Sequence, residues 1–209
     1  MKKYSYLALG DSYTIGEAVV AEQNFPSQTV KLLNEPAVVD ENSRQGFAEP
    51  VIIAKIGWTT DELDVAIDEA GISKTFDIAT LLIGVNNQYR GRSVNEYKTQ
   101  FGHLLQRAIH FAGNKTEHVF VLSIPDWGIT PFAEGQDCEK ISKAIDGYNS
   151  TAREICEQHK IIFIDITTAQ RFDGNKPGYI TTDGLHPSGK EYAKWAKQLA
   201  AAIKKQLVI

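Results

Sequence analysis

Short apolar runs alternate with longer amphipathic segments along this chain, and the alternation constrains the fold more than composition does. Residues 4–9, 50–56, 76–83, 119–124 and 161–166 read as five strands, each a brief apolar run bounded by turn or helix signals. Helical segments lie between them. Pro26 sits near the first turn of a helix over 26–33, where its missing N–H leaves no bond unmade. Thr60-Asp61-Glu62 opens a helix that ends near Gly71, as a C-terminal glycine should. Ser93 caps a long helix that sets Val94, Tyr97, Phe101, Leu104, Leu105, Ala108 and Phe111 at helical spacing. Residues 138–159 and 188–207 complete the set. The run 76–83 is apolar enough to be covered on both faces, as a central parallel strand would be. Five strands separated by helices require right-handed crossovers, and hence a parallel sheet with helices on both sides. With no repeat, low-complexity tract or linker, residues 1–209 are expected to form a single α/β domain, large enough to bury a core without metal or disulfide staples.

Composition removes several classes of function. The formal net charge is -4 and the basic residues are scattered, so the footprint of a nucleic-acid-binding surface is absent. No stretch reaches the roughly 18 apolar residues of a membrane span. Asp11 cuts the first apolar run short of the roughly 7 to 15 residues of a secretory signal, so a cytoplasmic protein without stable membrane association is expected. Cys138 and Cys156 fall on one expected helix, about 27 Å apart at 1.5 Å per residue. They cannot bridge each other and are expected as reduced packing residues. Asp, His and Cys do not cluster at ligand spacings, so no metal or cofactor is expected.

The loops at the carboxyl ends of a parallel sheet carry its function. Ser12 falls just past the first strand, Gly57 just past the second and Gly84-Val85-Asn86 just past the third, all at one edge. Asp183 and His186, in Asp183-Gly-Leu-His186-Pro, lie between the fifth strand and the last helix, a segment able to fold back over that edge. A serine hydroxyl is a poor nucleophile at neutral pH, so an imidazole must accept its proton, and a carboxylate on the other ring nitrogen fixes the tautomer. Of the five histidines, only His186 has a carboxylate three positions before it and a proline after it. His103, His110, His118 and His159 read as surface or packing residues.

Four segments, LALGDSYTIG, AKIGWTTDEL, LLIGVNNQYRG and TTDGLHPSGKEYAKWA, resemble in order the conserved blocks of the GDSL esterase/lipase, or SGNH hydrolase, superfamily. The resemblance spans almost the whole chain. It implies a flavodoxin-like three-layer fold with strand order 2-1-3-4-5 and a metal-independent serine esterase. It implies Ser12 as nucleophile, His186 as base, Asp183 as the partner of that base, and Gly57 and Asn86 as oxyanion-hole donors. The Ser12 backbone N–H would be the third donor. Asn87 competes with Asn86, which is preferred for its Gly-x-Asn spacing from Gly84. The first block departs from the family's name, because Tyr13 stands where the leucine would be; this bears on substrate preference.

Three more residues join Tyr13 as substrate candidates. Trp127 and Phe132, on a long loop after the fourth strand, either wall an acyl or alcohol pocket or simply pack that loop. Arg90, beside Asn86, either offers a guanidinium to an anionic substrate or is a solvated loop residue. The expected activity is hydrolysis of small or short-acyl carboxylic esters, including acetylated carbohydrates, through an acyl-enzyme. A lysophospholipase or thioesterase, or an acyltransferase, would use the same residues. A flavodoxin-like binding protein without chemistry is the remaining class, disfavoured because Asp11 places a carboxylate where a phosphate would bind.

Overall fold

The computed structural model describes residues 3–35 and 46–207. The chain runs β1 (Tyr6–Asp11), α1 (Ser12–Ile15), α2 (Phe25–Asn34), β2 (Val51–Lys55), α3 (Thr60–Glu69), β3 (Ile78–Leu82), α4 (Val85–Tyr89), α5 (Val94–Phe111), β4 (Val119–Leu122), α6 (Cys138–Gln158), β5 (Ile162–Ile164), α7 (Thr167–Asp173) and α8 (Gly189–Leu207). All neighbouring strands pair in parallel, in the order β2-β1-β3-β4-β5.

Burial follows strand position. β1, β3 and β4 are buried along their whole length, as strands covered by helices on both faces must be. β2 and β5 lie at the edges and are only partly covered. α2 packs on α8 across one face, while α3, α5 and α6 pack side by side on the other. Trp195 of α8 is fully buried and meets Phe25 of α2 with ring centroids 6.3 Å apart. On the opposite face Tyr97 of α5 and Tyr148 of α6 lie 4.6 Å apart.

The chain leaves β1 for β2 on one side and then crosses to β3 on the other, so the sheet's topological switch lies at the carboxyl end of β1. Gly10 makes the strands close tightly there. A Cβ at that position would stand 2.1 Å from the Thr14 hydroxyl and 2.5 Å from the Leu82 carbonyl.

Three short helices, α1, α4 and α7, occupy segments whose sequence carries no helical periodicity. β1 also runs on to Asp11 rather than stopping at residue 9, so the strand delivers Ser12 directly to the edge. Cys156 is buried, but Cys138 is exposed, so only one of the two cysteines is a packing residue. Among the described residues, no helix is long and apolar enough to cross a membrane.

Candidate active site

Ser12 is the first residue of α1, and Asp11 caps that helix by accepting a hydrogen bond from the Tyr13 N–H at 3.0 Å. The cap matters because first-turn N–H groups have no partner inside a helix; it satisfies Tyr13 and leaves the Ser12 N–H at an uncapped position. The turn then ends at once at Gly16, whose left-handed φ of 81° lets its N–H return to the Ser12 carbonyl.

His186 arrives from the opposite end of the chain. Its Nε2 lies 3.1 Å from Ser12 Oγ and its Nδ1 lies 2.6 Å from Asp183 Oδ2. Both Ser12 and His186 are buried, at 3% and 7% exposure. The second carboxylate oxygen, Oδ1, accepts from the N–H groups of Leu185 at 2.8 Å and His186 at 2.9 Å, and from the Thr181 hydroxyl at 2.7 Å. Partial burial raises the Asp183 carboxyl, but the bonds from Thr181, the His186 ring and these two N–H groups outweigh it and hold the pKa at about 2. An ionised carboxylate only accepts, so the imidazole proton must sit on Nδ1 and Nε2 is left to accept from the serine hydroxyl. The imidazole also rests against the Tyr13 ring at 5.1 Å, and Tyr13 in turn faces Trp195 at 6.4 Å.

Two further loops close the site. Lys55 to Trp58 form a turn with the Trp58 N–H on the Lys55 carbonyl at 3.3 Å, and Gly57 takes the positive φ of 79° that its third position requires. Asn86, on α4, donates Nδ2 to the Trp58 carbonyl at 2.9 Å, which ties α4 to that turn. Its neighbour Asn87 is buried and wholly engaged, accepting from the Thr60 N–H at 3.1 Å and donating to the Thr60 hydroxyl at 2.6 Å.

Ser12, Gly57, Asn86 and His186 all border one cavity of about 150 Å³. Tyr13, Trp127 and Phe132 line it as well, joined by Ile56, Val85, Tyr89 and Leu185. Tyr89, Trp127 and Phe132 contact one another, with centroids 5.3, 6.0 and 6.2 Å apart. The Trp127 indole N–H is held by Gln88 at 2.6 Å. Ile56, Val85 and Leu185 were not foreseen from the sequence, since apolar residues beside a strand end look like core. Thr181 carried a usable signal, because Thr-x-Asp is a short hydroxyl-to-carboxylate spacing.

Arg90 stands outside the cavity. Its Nη2 donates to the Gly57 carbonyl at 2.6 Å and pairs with Glu62 at 3.3 Å. A guanidinium already neutralised by a carboxylate is a poor receptor for a substrate anion. The Asp11 carboxyl, too, is fully buried rather than presented to a ligand.

A hydroxyl, an imidazole and a carboxylate in hydrogen-bonded series at the switch point of a flavodoxin-like sheet are the equipment of the SGNH class of ester hydrolases. Residues 8–204 match the GDSL-like lipase/acylhydrolase family, and the chain belongs to that family. The spore germination lipase LipC of Bacillus licheniformis is 24% identical, over 94% of this chain and 95% of its own. Among solved structures, TesA is similar with a TM-score of 0.71 at 16% identity, covering 97% of this chain and 99% of its own. The acetylxylan esterase Axe2 of Geobacillus stearothermophilus also gives 0.71, at 18% identity, over 100% of this chain and 95% of its own. These structural likenesses are likenesses of fold.

Proposed function

We propose that this protein hydrolyses small or short-acyl carboxylic esters through an acyl-enzyme formed on Ser12. The observation that carries the reading is the unbroken series Ser12 Oγ, His186 Nε2, His186 Nδ1, Asp183 Oδ2, with separations of 3.1 and 2.6 Å across its two hydrogen bonds. Ser12 Oγ attacks the ester carbonyl carbon as its proton passes to Nε2, and Asp183 stabilises the resulting imidazolium. The carbonyl oxygen becomes negative and is received by the N–H groups of Ser12 and Gly57 and by the Asn86 amide. Collapse of the tetrahedral species breaks the bond to the alcohol, which takes the proton from Nε2. Water then repeats the sequence on the acyl-enzyme and releases the acid.

Cavity size supports the short-acyl part. A volume of about 150 Å³ lies below the roughly 300 to 1,000 Å³ of pockets that enclose drug-sized ligands. It accommodates an acetyl or butyryl group against the Tyr89, Trp127 and Phe132 rings. Relatives whose names specify acetylxylan esterase and lipase bracket the choice between a small acyl group and a longer one. The exposed apolar rim, with Ile56 at 55%, Tyr89 at 54% and Phe132 at 42%, favours a second reading in which a longer chain runs out over the mouth.

Hydrolysis of p-nitrophenyl acetate, butyrate and octanoate by wild type, Ser12→Ala and Trp127→Ala tests both parts. Wild type should prefer the shorter esters, Ser12→Ala should lose turnover, and Trp127→Ala should shift preference toward octanoate. Full activity in Ser12→Ala refutes the mechanism. A wild-type preference for octanoate refutes the short-acyl reading and supports the second.

A further inference from the structure

The turn that carries Gly57 does not determine its own orientation. Its closing bond, Trp58 N–H to Lys55 carbonyl, is long at 3.3 Å. Glycine adopts positive and negative φ about equally, so the turn leaves the place of Gly57 to contacts from outside it.

Two side chains of the α4 segment supply those contacts, on the carbonyl side of Gly57. Asn86 and Arg90 are four residues apart and so share one side of the helix. Asn86 donates to the Trp58 carbonyl at 2.9 Å and Arg90 to the Gly57 carbonyl at 2.6 Å, so two consecutive carbonyls of the turn are held from the same side. Arg90 is itself held by Glu62 at 3.3 Å. Glu62 is fixed in turn by the Thr59 N–H at 2.8 Å and the Thr59 hydroxyl at 2.9 Å, in the reciprocal cap that starts α3. The series Thr59, Glu62, Arg90, Gly57 therefore joins the start of α3 to the turn.

We infer that Arg90 is a positioning residue for ester hydrolysis: by holding the Gly57 carbonyl it anchors the Gly57–Trp58 peptide against α4, and so fixes where Gly57, with its oxyanion-donor N–H, stands at the cavity. This rests on the reading of Gly57 given above. Arg90 touches no reacting atom; it acts only through the glycine. Lysine places one ammonium donor where arginine offers a planar fork, so it should retain part of the effect.

The test compares Arg90→Ala and Arg90→Lys with wild type on p-nitrophenyl acetate, alongside Ser12→Ala and Asn86→Ala. Loss of one oxyanion donor costs about 100- to 1,000-fold in rate, and a donor misplaced rather than removed should cost less. Arg90→Ala should lower kcat by about 10- to 100-fold with KM within about twofold, and Arg90→Lys should recover part of the loss. Inhibition by butylboronic acid, which forms a tetrahedral adduct on a serine oxygen, should weaken by the same factor as kcat. An unchanged kcat in Arg90→Ala overturns the inference. So does a loss confined to KM or to thermal stability with boronate affinity intact, because a purely structural ion pair would give that pattern. If Ser12→Ala keeps the wild-type rate, the hydrolytic reading fails and this inference fails with it. If Ser12→Ala and Asn86→Ala are both impaired while Arg90→Ala is normal, only the role of Arg90 falls.

Discussion

Replacing Asp11 with asparagine should flatten a pH dependence of stability that the wild-type protein carries between about pH 4 and 7. The Asp11 side chain is fully buried; Oδ1 accepts from the Tyr13 N–H, while Oδ2 has no hydrogen-bond partner. Burial pushes this carboxyl up from its ordinary 3.8 to about 7, against the opposing pull of the Tyr13 N–H. Between those values the folded protein holds a proton that the unfolded chain has lost. Stability therefore falls as pH rises through the window and levels off above about 7. At about 1.36 kcal/mol per pH unit, the interval sets an upper bound of about 4 kcal/mol. Relaxation of the surroundings reduces this, and about 1 to 2 kcal/mol is expected, or roughly 2 to 8 °C in Tm for a chain of this size. Thermal melts of wild type and Asp11→Asn from pH 4.5 to 8.5, at fixed ionic strength, read the effect as the difference between variants at each pH. Any fixed cost of burying an amide at Oδ2 is the same at every pH and cancels. The variant should gain on wild type as pH rises. A difference that stays flat across the window would refute the argument, because Asp11 would then ionise in the folded protein as it does in the unfolded chain.

The adjacent asparagines should separate cleanly. Asn86→Ala should lower kcat by about 100- to 1,000-fold with little change in Tm, whereas Asn87→Ala, which strips two bonds from buried Thr60, should cost about 1 to 3 kcal/mol of stability; kinetics and melts on both variants check this. Asp183→Asn should lower kcat by about 10⁴-fold, since an amide no longer fixes the Nδ1–H tautomer; single-turnover kinetics showing a loss below tenfold would remove Asp183 from the mechanism.

What the sequence made legible follows the length and kind of each signal. β3 was readable because its residues are apolar apart from Thr80, and α5, α6 and α8 because each spans several turns of a 3.6-residue repeat. α1 and α4 have only four and five residues, too few for any periodicity to register, although they carry Ser12 and Asn86. The five converging positions were visible because strand ends place them, and because Asp183 and His186 sit in a short polar motif. Which of Asn86 and Asn87 borders the cavity depended on Thr60, which contacts Asn87 from 27 positions away. The place of Arg90 was not legible for a related reason. Its partner is a backbone carbonyl 33 positions distant, and no pattern of side chains records which carbonyl a guanidinium will reach.

The site has two halves with different supports. Ser12, Gly57 and Asn86 follow β1, β2 and β3, which are neighbours in the sheet, so strand pairing sets their mutual geometry. Asp183 and His186 have no strand directly beneath them. Their loop is fastened instead by the Thr181 N–H on the His186 carbonyl at 2.9 Å, the Phe132 N–H on the Gly184 carbonyl at 3.0 Å and the Ser188 N–H on the Tyr179 carbonyl at 2.8 Å. Behind it stands α8, where buried Glu191 accepts from the Trp195 indole at 3.0 Å and from Lys194 at 2.8 Å, and Lys194 also bonds Asp173 at the end of α7. Trp195 backs Tyr13, and Tyr13 backs the His186 ring. The distance between His186 Nε2 and Ser12 Oγ is therefore set by the packing of α8 against the sheet, and a change that loosens Trp195 should lengthen it while leaving the Gly57 and Asn86 half in register.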